Sequence, residues 1–337
     1  MPEPVYTRFL SPIEDALREH WSSALANSPL ELQEMIAYHM GWQSQGAGKP
    51  TQGKRLRPAL ILLVVDACGR DWIHALPAAV AVEYLHNFSL IHDDIQDHST
   101  QRHGRDTLWV RWGIPQAINT GDAMFTLAFQ ALLNASEAFP TDTVQQLLSM
   151  FSTTCLNLTE GQHLDMCFES QENVSESAYL MMISGKTASL LGCCTGMGAI
   201  LGLMNIKEVT LLKSFGVNLG LAFQIQDDIL GIWGKQESTG KSSVSDLASG
   251  KKTLPILHAL NNSSSFKETW HTDHSSQAAI TKLMQMLDQT GSRDYAQSLV
   301  RSYTQSGLAA LEEAFRENPK AASNLACLAD QLLNRDI

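Results

Sequence analysis

Four long stretches of apolar periodicity constrain the fold of this chain more than any other feature. Their apolar residues recur at steps of three and four, the spacing that places them on one side of an α-helix. Several exceed 20 residues and are apolar on most sides, which is typical of helices buried in a large bundle. No segment shows the convincing period-2 alternation of a β-strand. The four stretches cover residues 75–97, 115–139, 143–166 and 209–233.

The helical pattern predicts one all-α domain over residues 1–337, a large helical bundle around a central cavity. Segments rich in Gly, Ser and charged residues interrupt the helices, and they predict flexible loops near residues 43–54, 234–252 and 261–277. Neither a repeat of fixed period nor a composition shift marks a second folding unit, so we expect a single domain.

Composition narrows the classes of partner. The chain has 24 Lys and Arg against 35 Asp and Glu, and this net charge of -11 argues against nucleic acid or an anionic membrane as the main partner. We expect no membrane span, because no apolar run reaches the roughly 18 residues that a spanning helix needs. The start of the chain lacks the pattern of a signal peptide, which favours the cytoplasm. The six cysteines form no CxxC pair and are predicted to be reduced thiols in the core.

Three aspartates end the first apolar stretch. Asp93 and Asp97 are four residues apart and therefore neighbours on one helix face, whereas Asp94 lies about 100° round the helix. Like charges at that spacing repel each other unless a cation stands between them. A solvated helix end is the alternative, but the residues before the cluster are apolar. The pattern therefore favours a bound metal ion.

A second acidic pair ends the stretch at 209–233. In "FQIQDDILG", Asp227 and Asp228 follow an apolar run, and Gln224 lies one turn before Asp228 on the same face. Two helices that bring carboxylates to one end of a bundle cavity would form an oxygen-rich site. Mg²⁺ prefers such ligands and is often held by one or two carboxylates together with substrate phosphates. The two clusters therefore predict Mg²⁺, with Mn²⁺ as the alternative, and a diphosphate substrate.

Basic segments lie on both sides of the acidic clusters. Arginine offers phosphate oxygens a fork of donors, and lysine offers a point charge. Each of these residues alone could be an ordinary solvated side chain, but together they bracket the acids. They are Lys54 and Arg57 in "GKRLRP", Arg102 and His103 after the first cluster, Lys186 and Thr187 in "SGKTAS", and Lys241, Lys251 and Lys252 after the second.

Seven motifs, in order, resemble those of the trans-isoprenyl diphosphate synthases of the polyprenyl synthetase family. They extend from about residue 50 to about 260 and are "GKRLRP", "HNFSLIHDDIQD", "RHGRDTLW", "GQHLD", "GKTA", "FQIQDDILG" and "GK" followed by "SDLASGKKTLP". The resemblance implies the isoprenoid synthase fold, a homodimer, and Mg²⁺-dependent head-to-tail condensation of isopentenyl diphosphate with an allylic prenyl diphosphate. Pyrophosphate would be released.

The resemblance also implies roles for individual residues. The metal ligands would be Asp93, Asp97 and Asp227, supported by Asp94 and Asp228. Isopentenyl diphosphate would be held by Lys54, Arg57 and His86, with His103 beside them. The allylic diphosphate would be held by Arg102, Lys186 and Lys241, with Thr187 and Gln224 nearby. Asp165 would face the same polar end, and Lys251 would belong to a closing loop. Metal and lysine charges, those of Lys186 and Lys241 included, would stabilise the leaving pyrophosphate while an allylic cation forms.

The helical residues that precede Asp93 bear on the length of the product. Leu85 and Ser89 lie two turns and one turn before that aspartate, and Phe88 matches a position where family members place an aromatic floor. The pattern resembles geranylgeranyl (C20) synthases more than long-chain synthases, with farnesyl (C15) synthases next. The alternative is that Phe88 is an ordinary core residue.

Two departures from the family pattern keep other functions open. Gly231 stands where the second motif often has another aspartate, and His103 stands where an arginine is usual. Both departures favour, as an alternative function, a prenyltransferase that uses an acceptor other than isopentenyl diphosphate. A class I terpene cyclase would need no isopentenyl pocket, so the basic residues of "GKRLRP" argue against it. An inactive partner subunit would be expected to lack the first aspartates, which are present here.

Overall fold

The computed structural model describes residues 4–42, 53–234, 245–248, 250–272 and 276–333. These ranges are helical nearly throughout. The α-helices are α1 (Leu10–Ala24), α2 (Leu30–His39), α3 (Leu56–Ala67), α4 (Leu76–Gln96), α5 (Leu108–Trp112), α6 (Ile114–Leu133), α7 (Thr141–Ser170), α8 (Glu176–Ile183), α9 (Ser189–Leu201), α10 (Ile206–Trp233), α11 (Ser245–Ala248), α12 (Leu254–Asn262), α13 (Ser264–Thr272), α14 (Gln277–Gln289), α15 (Ser292–Ala314) and α16 (Ser323–Leu333). Shorter 3-10 helices span Thr7–Phe9, Trp72–Ala75 and Asn134–Glu137, and a π-helix spans Ser184–Ala188.

The predicted all-α class is confirmed. Helices α4, α6, α7 and α10 coincide with the four periodic stretches to within a few residues, apart from the end of the second stretch, where a 3-10 turn follows α6. Periodicity located them because each helix has to bury one or more faces along its whole length.

A small hairpin, which the sequence did not indicate, follows α4. Strand β1 (Gln101–Arg102) pairs antiparallel with β2 (Arg105–Asp106), and Arg102 lies opposite Arg105. The two turn residues, His103 and Gly104, both have positive φ, as a type I′ turn requires.

One predicted loop is wrong over most of its length. Residues 261–277 were expected to be a loop, but Ser264–Thr272 forms α13. Phe266 and Trp270 lie one turn apart on it and are buried in an apolar cluster with Leu283 and Leu287 of α14. The polar residues around these two aromatics concealed a short amphipathic helix. Within the expected loop at 234–252, residues 245–248 form α11, and residues 235–244 and 249 lie outside the described residues, as do residues 43–52 of the first expected loop.

Residue contacts group the chain into two compact units, so the single domain over residues 1–337 stays a prediction. The first comprises residues 1–152 and 194–205, and the second comprises residues 153–193 and 206–337. In the first unit, α4 packs along α6 and α3, and eight successive side chains of α3, from Pro58 to Val65, are buried. In the second, α10 packs along α15, and its apolar side chains contribute to a cluster with α8 and α12.

The cysteine prediction is partly wrong. All six cysteines lie in described ranges and none forms a disulfide. Cys155, Cys193 and Cys194 are buried as expected, but Cys167 and Cys327 are exposed. Among the described helices, none combines the length and the apolar character that crossing a bilayer would require.

Candidate active site

The first aspartate cluster lies at the C-terminal end of α4. Asp93 is partly buried, Asp94 is buried, and Asp97, which directly follows the last helical residue, is exposed. The Asp97 backbone N–H donates to the Asp93 carbonyl at 2.8 Å. Three carboxylates at the negative end of a helix dipole are unfavourable. Their position therefore calls for positive charge nearby.

Arg102 supplies part of that charge from the β1–β2 hairpin. Its Nε donates to both carboxylate oxygens of Asp94 at 3.0 Å, and its Nη2 donates to Asp94 Oδ1 at 2.8 Å. The same Nη2 lies 3.5 Å from Asp93 Oδ2. Burial raises the pKa of Asp94, and the Arg102 hydrogen bonds and charge oppose that shift. Arg102 thus binds the inner aspartate of the pair and also reaches towards the outer one.

Arg57 and His86 lie together in the first unit. Arg57 Nη1 lies 3.1 Å from His86 Nε2. A guanidinium can only donate, so Nε2 accepts and the ring proton is on Nδ1. Desolvation lowers the pKa of His86 well below its usual value, and the charge of Arg57 lowers it further. His86 is therefore a neutral ring beside a fixed cation, and Lys54 and His103 are exposed.

The other arginine of "GKRLRP", Arg55, makes structural contacts that the sequence did not indicate. Arg55 is buried, and its guanidinium contacts Glu83 at 2.6 Å and Glu14 at 3.1 Å. Glu83 Oε1 also accepts from Asn87 Nδ2 at 3.0 Å. Desolvation opposes the charge on Arg55, but the two glutamates outweigh it and raise the pKa of the guanidinium. This network fixes the start of α3 against α4.

The three chain-length candidates differ in their surroundings. Leu85 is fully buried, and Ser89 is partly buried with its hydroxyl donating to the His86 carbonyl. Phe88 is partly buried, and its ring centroid lies 4.9 Å from that of Phe125 on α6. The aromatic row continues from Phe125 to Phe129 and from Phe129 to Phe151, with centroids 5.2 and 5.1 Å apart.

In the second unit, Lys186 projects from the π-helix Ser184–Ala188 and contacts Asp165 of α7 at 2.5 Å. Burial opposes ionisation of Asp165, but Lys251 and Lys186 outweigh it and lower the pKa of the carboxyl. Two glycines let α7 and the π-helix touch at their backbones. A Cβ atom on Gly161 would lie 2.1 Å from the Lys186 backbone nitrogen, and one on Gly185 would lie 2.6 Å from the Asn157 carbonyl oxygen.

The second aspartate pair resembles Asp93 and Asp94 in the burial of its members. In each pair one aspartate is buried, which we call the inner residue, and its neighbour is more exposed, which we call the outer residue. Asp228 is buried, whereas Asp227 is partly buried. Asp228 accepts from the Tyr179 hydroxyl, from Gln224 Nε2 at 3.2 Å and from the Leu254 backbone N–H at 3.3 Å. Thr187 Oγ1 in turn donates to Gln224 Oε1 at 2.9 Å, which connects the π-helix to α10.

The lysines after the second pair have different surroundings. Lys252 Nζ donates to the carbonyls of Phe168 and Glu169 at 2.9 and 3.3 Å, where it complements the C-terminal end of α7. Lys251 is exposed, and its charge acts on Asp165. Lys241 lies outside the described residues.

In each unit the carboxylates would fit Mg²⁺ only together with oxygen ligands from a substrate. Among the described residues, no group of three His, Cys, Asp or Glu side chains lies close enough together to hold a metal ion. Asp94 and Asp228 are buried, whereas Asp93 and Asp227 are partly buried and Asp97 is exposed. Asp93 and Asp97 in the first unit, and Asp227 in the second, are therefore the better candidates. Mg²⁺ commonly takes one or two carboxylates, keeps waters and binds substrate phosphates. Oxygen ligands in that small number suit a metal that arrives with a diphosphate.

Comparison with known proteins decides the family. The sequence profile named polyprenyl synthetase matches residues 47–287. The chain belongs to the polyprenyl synthetase family. Membership confirms the predicted family and the predicted enzyme class, a prenyltransferase of the polyprenyl diphosphate synthase type.

Relatives of known name lie within this family. The (2E,6E)-farnesyl diphosphate synthase of Mycobacterium tuberculosis is 38% identical over 265 residues, 78% of this chain and 69% of that protein. The geranylgeranyl diphosphate synthase of the same organism is 37% identical over 306 residues, 88% of this chain and 86% of that protein. The crystal structure of a polyprenyl synthetase from Streptomyces coelicolor A3(2) matches with a TM-score of 0.87 and 32% identity, covering 97% of this chain and 99% of the other.

Within this polyprenyl synthetase, two residues that support the site had been missed. Arg55 and Tyr179 each contact a buried carboxylate. Lys252 was named among the basic residues, but its contact with the end of α7 was not predicted. One signal was available, since Glu83 stands in the apolar run "AVAVEYL" and a buried carboxylate needs a partner. Nothing local pointed to Tyr179, which is 49 residues from Asp228.

Proposed function

We propose that this protein catalyses the Mg²⁺-dependent head-to-tail condensation of isopentenyl diphosphate with an allylic prenyl diphosphate. The products would be geranylgeranyl diphosphate (C20) or farnesyl diphosphate (C15), together with pyrophosphate. Relatives named as synthases of both products cover most of this chain, which supports the proposal. The cytoplasmic location and the homodimer stay predictions from the sequence.

One observation supports the proposal most directly. In each aspartate pair, one residue is buried (the inner residue) and its neighbour is more exposed (the outer residue). Protein donors hold the inner carboxylates of Asp94 and Asp228. The outer residues, Asp93 and Asp227, are more exposed and lie next to them in sequence. Because the protein holds the inner side chains, the helical turns that carry the outer carboxylates are fixed, and those carboxylates would bind a metal ion with little backbone reorganisation.

The allylic diphosphate would be held by cations that the protein has already positioned. Lys186 has three N–H donors on one ammonium group, so it can share its charge between Asp165 and a phosphate oxygen. Arg102 and, from outside the described residues, Lys241 would add further positive charge. When bound, Mg²⁺ supplies Lewis-acid stabilisation of the negative charge that develops on the leaving diphosphate.

Isopentenyl diphosphate would bind to Lys54, Arg57 and His86. The neutral His86 ring fixes one arm of the Arg57 guanidinium, which leaves the planar fork oriented for phosphate oxygens. His103 would add a ring where an arginine is usual. Its pKa is lowered by desolvation and by Arg102, so this residue adds little charge near neutral pH.

The reaction balances without a nucleophilic side chain. The allylic carbon–oxygen bond breaks, and its electron pair leaves with pyrophosphate. The alkene electrons of isopentenyl diphosphate form the new carbon–carbon bond, and the resulting cation loses a proton to form the product alkene. Pyrophosphate is the base we propose for that proton. The cations around the diphosphates stabilise developing negative charge, and closure of the site would protect the carbocation from water.

The test is a product assay with the purified full-length protein. It combines Mg²⁺, labelled isopentenyl diphosphate and, separately, dimethylallyl, geranyl or farnesyl diphosphate, and the dephosphorylated products are sized. We expect chains that stop at C20 or C15 and that disappear with EDTA or with Asp93→Ala. Asp142→Ala, which removes an exposed carboxylate at the start of α7, is the matched control and should keep full activity.

Failure of the assay would identify the rival functions. Consumption of the allylic diphosphate without incorporation of label would refute condensation. It would point instead to a terpene cyclase or to a prenyltransferase with another acceptor, which Gly231 and His103 kept open. If neither substrate is consumed, the enzyme assignment itself fails for these substrates.

A further inference from the structure

The C-terminal turn of α2 contacts the β1–β2 hairpin at both main chain and side chain. The Tyr38 hydroxyl donates to the Asp106 carbonyl at 2.9 Å. In the opposite direction, the Arg105 guanidinium donates to the Tyr38 carbonyl. The guanidinium carbon of Arg105 also lies 4.4 Å from the centroid of the Tyr38 ring. These reciprocal contacts, from Tyr38 to Arg105 and Asp106, form what we call the hairpin clamp.

The hairpin depends on such contacts because its strands contain only two residues each. An isolated hairpin of this length is unstable in water. Its base is closed by Thr107 Oγ1 and Trp109 Nε1, which both donate to the Ser99 carbonyl at 2.9 Å. These two hydrogen bonds hold the base of the hairpin but do not fix the direction in which the hairpin points. The hairpin clamp fixes that direction through its contacts with β2.

The residue that the hairpin presents is Arg102. It lies opposite Arg105 across the two strands, so a shift of the clamped strand moves Arg102 as well. Arg102 makes three hydrogen-bonding contacts with the buried Asp94 and approaches Asp93 to 3.5 Å. Removing such a partner leaves a buried carboxylate without compensation, next to another carboxylate in the same cluster.

We infer that Tyr38 and Arg105 are positioning residues for the first aspartate motif. Through the hairpin they hold Arg102 on Asp94, which keeps Asp93 and Asp97 oriented towards the metal and the allylic diphosphate. Neither residue contacts the reacting atoms in this scheme. The inference rests on the proposed function, because it assigns these aspartates to a metal–diphosphate site.

A binding experiment tests the clamp independently of catalysis. Binding of the Mn²⁺–pyrophosphate complex to the full-length protein is followed by water proton relaxation, and kcat, KM and Tm are measured on the same preparations. The variants are Arg105→Ala and Tyr38→Phe. Arg111→Ala is the control, because Arg111 of α5 lies 4.6 Å from the same Tyr38 ring but does not belong to the hairpin.

We expect Arg105→Ala to weaken binding of the complex by about tenfold, within the range for residues that orient metal ligands. Tyr38→Phe should weaken it less, since the ring and the Arg105 contact remain. Both variants should raise KM for the allylic diphosphate, and Arg111→Ala should leave binding and KM unchanged. In an Arg102→Gln background neither clamp variant should cause a further loss, because the clamp acts through Arg102.

Other outcomes overturn the inference. Binding by Arg105→Ala equal to that of the wild type would do so, as would a loss fully additive with that of Arg102→Gln. If Arg105→Ala fails to fold, Tyr38→Phe decides, because it removes one hydroxyl only. If the wild type binds the complex but forms no carbon–carbon bond, the proposed function fails while the clamp is still tested by binding. If the wild type does not bind the complex, both fail.

Discussion

Gly161→Ala is the substitution whose effect can be worked out most directly from the geometry. A Cβ atom at this position would lie 2.1 Å from the Lys186 backbone nitrogen, 2.7 Å from the Gly185 carbonyl carbon and 2.8 Å from the Lys186 Cα. All three neighbours are backbone atoms, so no side chain can rotate away. Non-bonded carbon atoms normally rest about 3.5 to 4 Å apart, so α7 and the π-helix must separate by roughly 1 Å or more.

The separation has an energetic and a catalytic consequence. Overpacking of this kind costs about 1 to 3 kcal/mol, and the higher helix propensity of alanine returns up to about 1 kcal/mol. We therefore expect Tm to fall by a few degrees. Because Lys186 moves with its backbone, a misplacement of about 1 Å is expected to lower kcat/KM by about 100-fold.

The assay measures kcat/KM for the allylic diphosphate and the Tm of the variant. Glu160→Ala is the matched control, since it introduces alanine at the exposed neighbouring position of the same helix. Gly161→Ala with an unchanged kcat/KM and a raised Tm would refute the argument that backbone contact positions Lys186. A lower Tm with unchanged kcat/KM would show that the contact serves stability alone.

Four further predictions address other parts of the molecule. Tyr179→Phe should lower the free energy of unfolding by about 1.5 to 3 kcal/mol in urea denaturation, because Asp228 loses a donor; an unchanged midpoint and slope would contradict this. Desolvation and the charges of Arg102, Arg105 and Arg55 lower the pKa of His39 to about 3 from 6.5. Between these two pH values, His39 is protonated in the unfolded chain but neutral in the folded protein. The free energy of unfolding should therefore fall by about 1.4 kcal/mol for each pH unit from pH 6.5 towards pH 3, and His39→Gln should reduce this pH dependence. Iodoacetamide should modify Cys167 and Cys327 in the native protein, as read by peptide mass spectrometry. It should spare Cys155 and Cys193, because burial raises their thiol pKa values to about 12 and about 11; early modification of either would show that it is accessible. Phe88→Ala should lengthen the main product by at least one C5 unit if the ring limits chain growth, and an identical product distribution would show that Phe88 is only a packing residue.

The sequence proposed the candidate site as a set of residues, but it indicated few of the contacts that those residues make. The aspartate pairs stood out because they end apolar helices, and Arg57 with His86 followed from the family motifs. The resemblance assigned Arg102 to the allylic diphosphate, which stays a prediction, but it did not indicate the contacts of Arg102 with Asp94 and Asp93. The loop expected near 261–277 was wrong because only two aromatic residues mark the buried face of α13.

The sequence by itself determined the helices, their apolar faces and the ends at which carboxylates gather. These are local properties, because a helix repeats every 3.6 residues and its pattern is complete within a few turns. The tertiary structure alone decided which aspartate of each pair is buried and which donors bind it. Arg102 reaches Asp94 through a hairpin, Tyr179 reaches Asp228 from another helix, and Gly161 meets Lys186 at a backbone contact. Such contacts depend on distances between residues far apart in the chain, and periodicity carries no information about those distances.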